Sequence, residues 1–133
     1  MTRHMLDTNS VNHLLREHPV VVRRVVAAPM ASLCLSAVTE AELRYGLAKR
    51  PEATRLHRVV GELLLRLDVL PWESEVARTY GALRAGMERQ GKVLAPLDLM
   101  IAAHAIATGC TLVSNDQAFA HLPDLDLEDW TIG

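Results

Sequence analysis

The sequence predicts an α/β domain of three layers: a mainly parallel central sheet of four or five strands, with helices on both faces. Three observations lead there. Short apolar runs that suit buried strands alternate with longer segments of helical periodicity, the pattern of βαβ units. Half of the residues are hydrophobic and 23% are charged, the balance of a globular chain. The 133 residues suffice for one core, so a single domain over residues 1–133 is expected.

The elements follow in order. Residues 3–6 (RHML) form a short strand, and Val11–Arg16 starts a helix. Pro19–Ala28 is helical despite its β-branched residues, because Pro is tolerated in a first turn. Residues 31–36 (ASLCLS) read as a buried strand, and VTEAELRYGLAKR follows as a helix that Pro51 ends. Glu52–Leu67 places Leu56, Val59, Val60, Leu63, Leu64 and Leu67 at helical spacing. DVLPW (68–72) is a brief strand or extended link, and Ser74 caps a helix reaching Gln90. The Arg-rich stretch from about Lys49 to Gln90 is expected to protrude as a helical hairpin. Pro96 opens the next helix and Gly109 closes it, the usual asymmetry of helix ends. CTLVS (110–114) is a strand, NDQAFAHL a short helix and LDLEDW (125–130) a last edge strand.

Composition narrows the function. No window holds roughly eighteen uncharged apolar residues, and the first residues show no signal-peptide pattern, so a cytoplasmic protein without a membrane segment is expected. Cys34 and Cys110 each sit in an apolar stretch and read as buried free thiols. The net charge of −2 argues at first against a nucleic-acid partner, yet twelve of the fourteen basic residues are Arg, suited to forked phosphate contacts. Metal bound at four acids would leave a small positive remainder.

Four carboxylates occupy places where an open parallel sheet binds ligands, beyond the carboxyl ends of its strands. Asp7 ends the first strand in MLDTNS, and Asp116 stands just beyond CTLVS. Asp98 opens the helix before that strand, and Glu42 lies in the helix after ASLCLS. Each also has a purely structural role open to it. Asp7 and Asp116 suit helix caps, and Glu42 completes a capping box with Thr39. Asp98 is harder to assign this way. Its helix is apolar nearly all round and should be buried. The helix dipole offers a first-turn Asp only ~0.3–1 kcal/mol, far less than burial of an unpaired carboxylate costs. Glu40 competes with Glu42, and about 200° of helical rotation separates them. Spacing alone leaves that choice open.

MLDTNS, SAVTEAELRYG, PLDLMIAAHA and LVSNDQAF, in this order and spacing, resemble the PIN-domain ribonucleases, above all the VapC toxins of bacterial toxin–antitoxin pairs. The resemblance spans essentially the whole chain, down to the terminal EDW. It implies a PIN-like three-layer sandwich and places the family's four acids on Asp7, Glu42, Asp98 and Asp116. Its E-L-x-x-G motif falls on Glu42, Leu43 and Gly46, which selects Glu42 over Glu40. Ser114 stands where Thr is usual, and enteric-type members carry Asn at the place of Asp116, the most replaceable of the four. Ala118 stands where many members have an acid.

The implied chemistry is Mg²⁺- or Mn²⁺-dependent hydrolysis of RNA, with all four acids as catalytic residues and metal ligands. Hard cations of this kind take oxygen ligands and keep several waters. Thr8, Asn9 and Ser114 are candidates to support the acids or the phosphate by hydrogen bonds. The resemblance also implies a homodimer, a VapB-like antitoxin whose C-terminal segment covers the acids, and a structured RNA substrate such as a tRNA anticodon stem-loop. Two other readings compete: a catalytically idle PIN-like binding module, and a phosphatase-like phosphotransfer domain with Asp7 as nucleophile. A haloacid-type phosphatase wants a second Asp where Asn9 stands, and a receiver domain wants a lysine later than Lys92. The six histidines show no metal-ligand spacing. His104 reads as a hydrogen-bonded core residue, Trp72 and Trp130 as packing residues, and Arg84 and Arg89 as solvated.

Overall fold

The apolar runs form five short strands: β1 (His4–Leu6), β2 (Leu33–Ser36), β3 (Asp68–Leu70), β4 (Thr111–Val113) and β5 (Leu127–Glu128). All pair in parallel, in the order β3-β2-β1-β4-β5. The structure is a computed structural model that describes residues 2–133; Met1 lies outside the described residues. Among the described residues, six α-helices lie between the first four strands: α1 (Thr8–Leu15), α2 (Pro19–Ala27), α3 (Ala37–Ala48), α4 (Thr54–Arg66), α5 (Ser74–Arg89) and α6 (Pro96–Thr108).

Successive strand residues alternate between two cores, as the period of a pleated strand requires. Met5, Cys34 and Leu112 face a core with Met87, Leu99, Ile101 and Phe119, so α5 and α6 cover that face. Leu6, Leu33, Leu35 and Val113 face Val11, Val21 and Val60, so α1, α2 and α4 cover the other. Three layers result. The Lys49–Gln90 stretch is therefore not a protruding hairpin: its two helices lie on opposite faces, with β3 between them. The apolar stripe of each helix decides this, since each needs its own core.

Several element ends differ from the sequence expectation for one reason, side-chain capping. Asp7 accepts the Ser10 amide at 2.7 Å, so α1 starts at Thr8 and not at Val11. Ser36, and not Thr39, caps α3 by accepting the Val38 amide at 3.0 Å, which leaves Thr39 inside the helix and dissolves the capping box. Ser74 lies within α5; Glu73 precedes that helix without a side-chain cap bond. NDQAFAHL makes a 3₁₀ turn over Gln117–His121, capped by Asp116. Gly109 ends α6 at φ 69°, the left-handed conformation that favours glycine. Cys34 and Cys110 are buried and free, their sulfurs 3.8 Å apart. Trp130 is buried, and Trp72 packs edge-on to Tyr80 and His104. Among the described residues, no helix is long and apolar enough to cross a membrane.

Candidate active site

The chain runs from β1 to β2 on one side of the sheet and returns to β4 on the other. The strand order thus reverses between β1 and β4, which opens a crevice beyond their carboxyl ends. Asp7 follows β1 and Asp116 lies just beyond β4, one on each side of that crevice. The Asp7 amide donates to the Val113 carbonyl at 3.1 Å, tying the two strand ends together. α3 leaves the neighbouring strand β2 and carries Glu42 in its second turn. α6 carries Asp98 in its first turn.

Asp7 caps α1 and also borders the crevice. The residue is 3% exposed, and burial pushes its pKa up while hydrogen bonds from Ser114 and Ser10 pull it back and Asp116 adds repulsion. Ser10 also anchors its hydroxyl on the Val113 carbonyl at 2.8 Å. Glu42 turns toward the crevice, where its Oε1 accepts the Thr8 hydroxyl at 2.6 Å. Glu40 turns away and pairs with Arg44 at 2.8 Å. The rotation that separates the two acids thus assigns one to the site and one to the surface.

Asp98 is half-buried. Its pKa is raised first by burial, then by the negative charges of Asp116, Glu42 and Asp7 in turn. The four acids therefore share one electrostatic environment. No Lys, Arg or His among the described residues lies within ion-pair distance of any of them. Asp116 accepts the Ala118 amide at 2.9 Å, and the Ser114 hydroxyl accepts the Asp116 amide at 3.1 Å. Thr8 and Ser114 therefore brace acids. Asn9 is exposed and makes no side-chain hydrogen bond among the described residues.

The acids are not gathered into a closed cage: among the described residues no three His, Cys, Asp or Glu side chains stand ready to hold one ion. An all-oxygen donor set of mutually repelling carboxylates fits Mg²⁺ or Mn²⁺, which keep waters and take only one or two carboxylates beside substrate phosphate. A groove of about 700 Å³ runs from Thr8 and Glu42 between Leu43, Leu56, Leu97 and Met100. Gly46 lines it, and a Cβ there would meet no other atom within 4 Å, so the glycine widens the groove.

Residues 4–125 match the family model of the PIN domain. The chain belongs to the PIN-domain family. Within it, this PIN domain is 34% identical over 131 residues to ribonuclease VapC2 of Haemophilus influenzae, covering 98% of this chain and 99% of that one. It is 35% identical over 132 residues to the tRNA(fMet)-specific endonuclease VapC of Shigella flexneri, covering 98% and 100%. Its fold matches a chain in the structure of DNA-bound VapBC from Salmonella typhimurium with a TM-score of 0.91, at 33% identity over 98% of this chain and 99% of that one. VapBC2 of Rickettsia felis, bound to a promoter DNA fragment, matches with a TM-score of 0.88 at 31% identity, covering 97% and 99%.

Proposed function

We propose that this chain is the toxin of a toxin–antitoxin pair, a Mg²⁺- or Mn²⁺-dependent endoribonuclease formed by a single PIN domain over residues 1–133. The observation that carries this reading is the charge of Asp116, Glu42 and Asp7 felt together at Asp98, with no cation beside them. The kinship with VapC ribonucleases supports it independently.

Asp7 and Asp98 would be the principal metal ligands, with Glu42 and Asp116 as further ligands or water-orienting bases. The metal, when bound, supplies Lewis-acid activation of water and neutralises charge on the scissile phosphate. The chain's own residues do the positioning. The Ser10 amide fixes one oxygen of Asp7, and the Thr8 hydroxyl fixes Oε1 of Glu42. Oε2 of Glu42 makes no hydrogen bond among the described residues, so it is available to hold an ion or to take a proton from the attacking water. Ser114 holds the Asp116 amide, and the exposed Asn9 would meet phosphate. Because water attacks, the 2′-hydroxyl is not needed and the products carry 5′-phosphate and 3′-hydroxyl ends.

The partner is a VapB-like antitoxin. The groove beside Glu42 has the apolar walls that suit anchoring side chains, with Arg16, Lys49 and Arg50 at its rim. A structured RNA, such as a tRNA anticodon stem-loop, is the substrate, a homodimer the working form and the cytoplasm its place. The test incubates purified, antitoxin-free protein with total RNA, with and without Mg²⁺ or Mn²⁺, beside Asp7→Asn and Asp98→Asn variants. Cleavage that needs the metal and both acids, with 5′-phosphate ends, supports the reading. Cleavage that survives EDTA, or persists in either variant, overturns it. Absence of cleavage with intact antitoxin binding would point to an idle binding module.

A further inference from the structure

We propose that the buried hydrogen bond between Ser36 and His104 positions the acidic site, by locking the helix that carries Glu42 to the helix that carries Asp98. The inference rests on the nuclease reading above.

His104 is fully buried in the middle of α6, and its Nδ1 lies 2.7 Å from the Ser36 hydroxyl at the start of α3. That hydroxyl also accepts the Val38 amide at 3.0 Å, so one oxygen joins the α3 backbone to the ring. The result is a chain from the α3 backbone through Ser36 to the His104 ring. The Pro71 carbonyl lies nearby but outside hydrogen-bond geometry, which leaves Nε2 without a partner among the described residues. Among the described residues Ser36 is the ring's one hydrogen-bond partner, and the Trp72 ring, with centroids 5.6 Å apart, packs against it edge-on.

The bond matters because the buried residues beside it, Ile101, Ala102, Ala103 and Ala105, are apolar, and apolar burial is non-directional. A buried hydrogen bond is directional, and losing its geometry leaves two polar groups unsatisfied. Asp98 stands six residues before His104, and Glu42 six residues after Ser36, about 9 Å of helix in each case. A shift at the bond is thus carried to both acids. His104 touches none of the four acids through a hydrogen bond, so it is a positioning residue and not a catalytic one.

Mn²⁺ binding to the free protein, followed by calorimetry without RNA, reads this directly, with kcat and KM for RNA cleavage measured beside it. His104→Leu is expected to weaken Mn²⁺ binding about tenfold and to lower kcat with KM unchanged. His104→Asn, which returns a polar atom near the place of Nδ1, recovers binding to within about threefold. A folded His104→Leu that binds Mn²⁺ like wild type overturns the inference, as does equal impairment of the Leu and Asn variants. If His104→Leu does not fold, Ser36→Ala against Ser36→Thr decides: equal Mn²⁺ affinity in both overturns it. Wild-type protein that neither binds Mn²⁺ nor cleaves RNA overturns the metal-nuclease reading together with the inference. Wild-type activity with indifferent variants overturns the inference alone.

Discussion

The Thr8 hydroxyl reaches across the mouth of the sheet to Glu42 Oε1 at 2.6 Å, joining the first turn of α1 to the second turn of α3. Thirty-four positions separate the two in sequence. The bond does for Glu42 what the Ser10 amide does for Asp7: it fixes one carboxylate oxygen and leaves the other available. Thr8→Val keeps the shape of the side chain and removes the donor. We expect RNA cleavage to fall about 10–100-fold, the range typical of partners that orient a ligand. Thr8→Ser should hold activity near wild type. Equal activity in the Val and Ser variants, measured at saturating Mn²⁺, would show that Glu42 needs no such brace.

Glu40 and Glu42 offer a paired control on one helix. Glu40→Gln breaks only a solvent-side pair with Arg44, worth about 0.3–0.5 kcal/mol, and should leave cleavage unchanged. Glu42→Gln keeps an acceptor for Thr8 and removes the charge. Its activity should drop by about a hundred-fold or more if the charge holds metal or accepts a proton. Initial rates on one RNA substrate separate the two, and similar rates would refute the assignment.

Asp98 and Asp7 hold their protons more tightly in the folded chain than in the unfolded one, chiefly because burial penalises the charge. The folded state then binds more protons at these two groups, so their contribution to metal-free stability is greatest at or below the unfolded carboxylate range. It is lost as pH rises through the higher folded values, and the deficit persists at neutral pH. Asp98→Asn should therefore raise the Tm of metal-free protein at pH 7 while abolishing cleavage. Saturating Mn²⁺ should raise the Tm of wild type and leave that of Asp98→Asn nearly unmoved. Thermal melts with EDTA and with Mn²⁺, at pH 4 and pH 7, check the sign. A lower Tm for metal-free Asp98→Asn at pH 7 would contradict it.

The layers and the parallel sheet were legible because strand and helix periods differ so plainly along this chain. Pro96 and Gly109 marked both ends of α6 by backbone restrictions that hold without tertiary help. Ser36 was not legible as a cap, since it is also the last residue of a buried strand and the local sequence favours neither role. The rotation of α3 was not legible either. Leu43 and Leu47 face the core and leave the acids on either side of them; the partner Thr8 lies on another helix, beyond any local pattern. The opposite placement of α4 and α5 depends on which face of β3 each packs against. The resemblance to PIN-domain ribonucleases placed the four acids in the sequence. Ser114 was named from the sequence as a support of the acids, whereas Ser10, whose amide holds an Asp7 oxygen, became evident as a brace only with coordinates.

Asp116 separates structural from chemical need most cleanly. Its Oδ1 accepts the Ala118 amide at 2.9 Å and so caps the turn that buries Phe119. Asn retains that acceptor and ranks with Asp as a cap, so Asp116→Asn should leave the unfolding free energy within about 0.5 kcal/mol of wild type. Asp116→Ala removes the cap and should cost about 1 kcal/mol. Activity should divide differently. If Asp116 contributes mainly by shaping the loop, Asn keeps cleavage within about tenfold of wild type and Ala does worse, in step with the lost cap. If its charge completes the metal site, Asn and Ala fall together, and higher Mn²⁺ partly restores both. The assignment of Asp116 as a further ligand predicts the second pattern, because only its Oδ1 is committed to the backbone and its charge acts on Asp98. A Mn²⁺ titration of cleavage for both variants distinguishes the patterns, and equal loss in both, reversed by metal, would assign Asp116 to the ion.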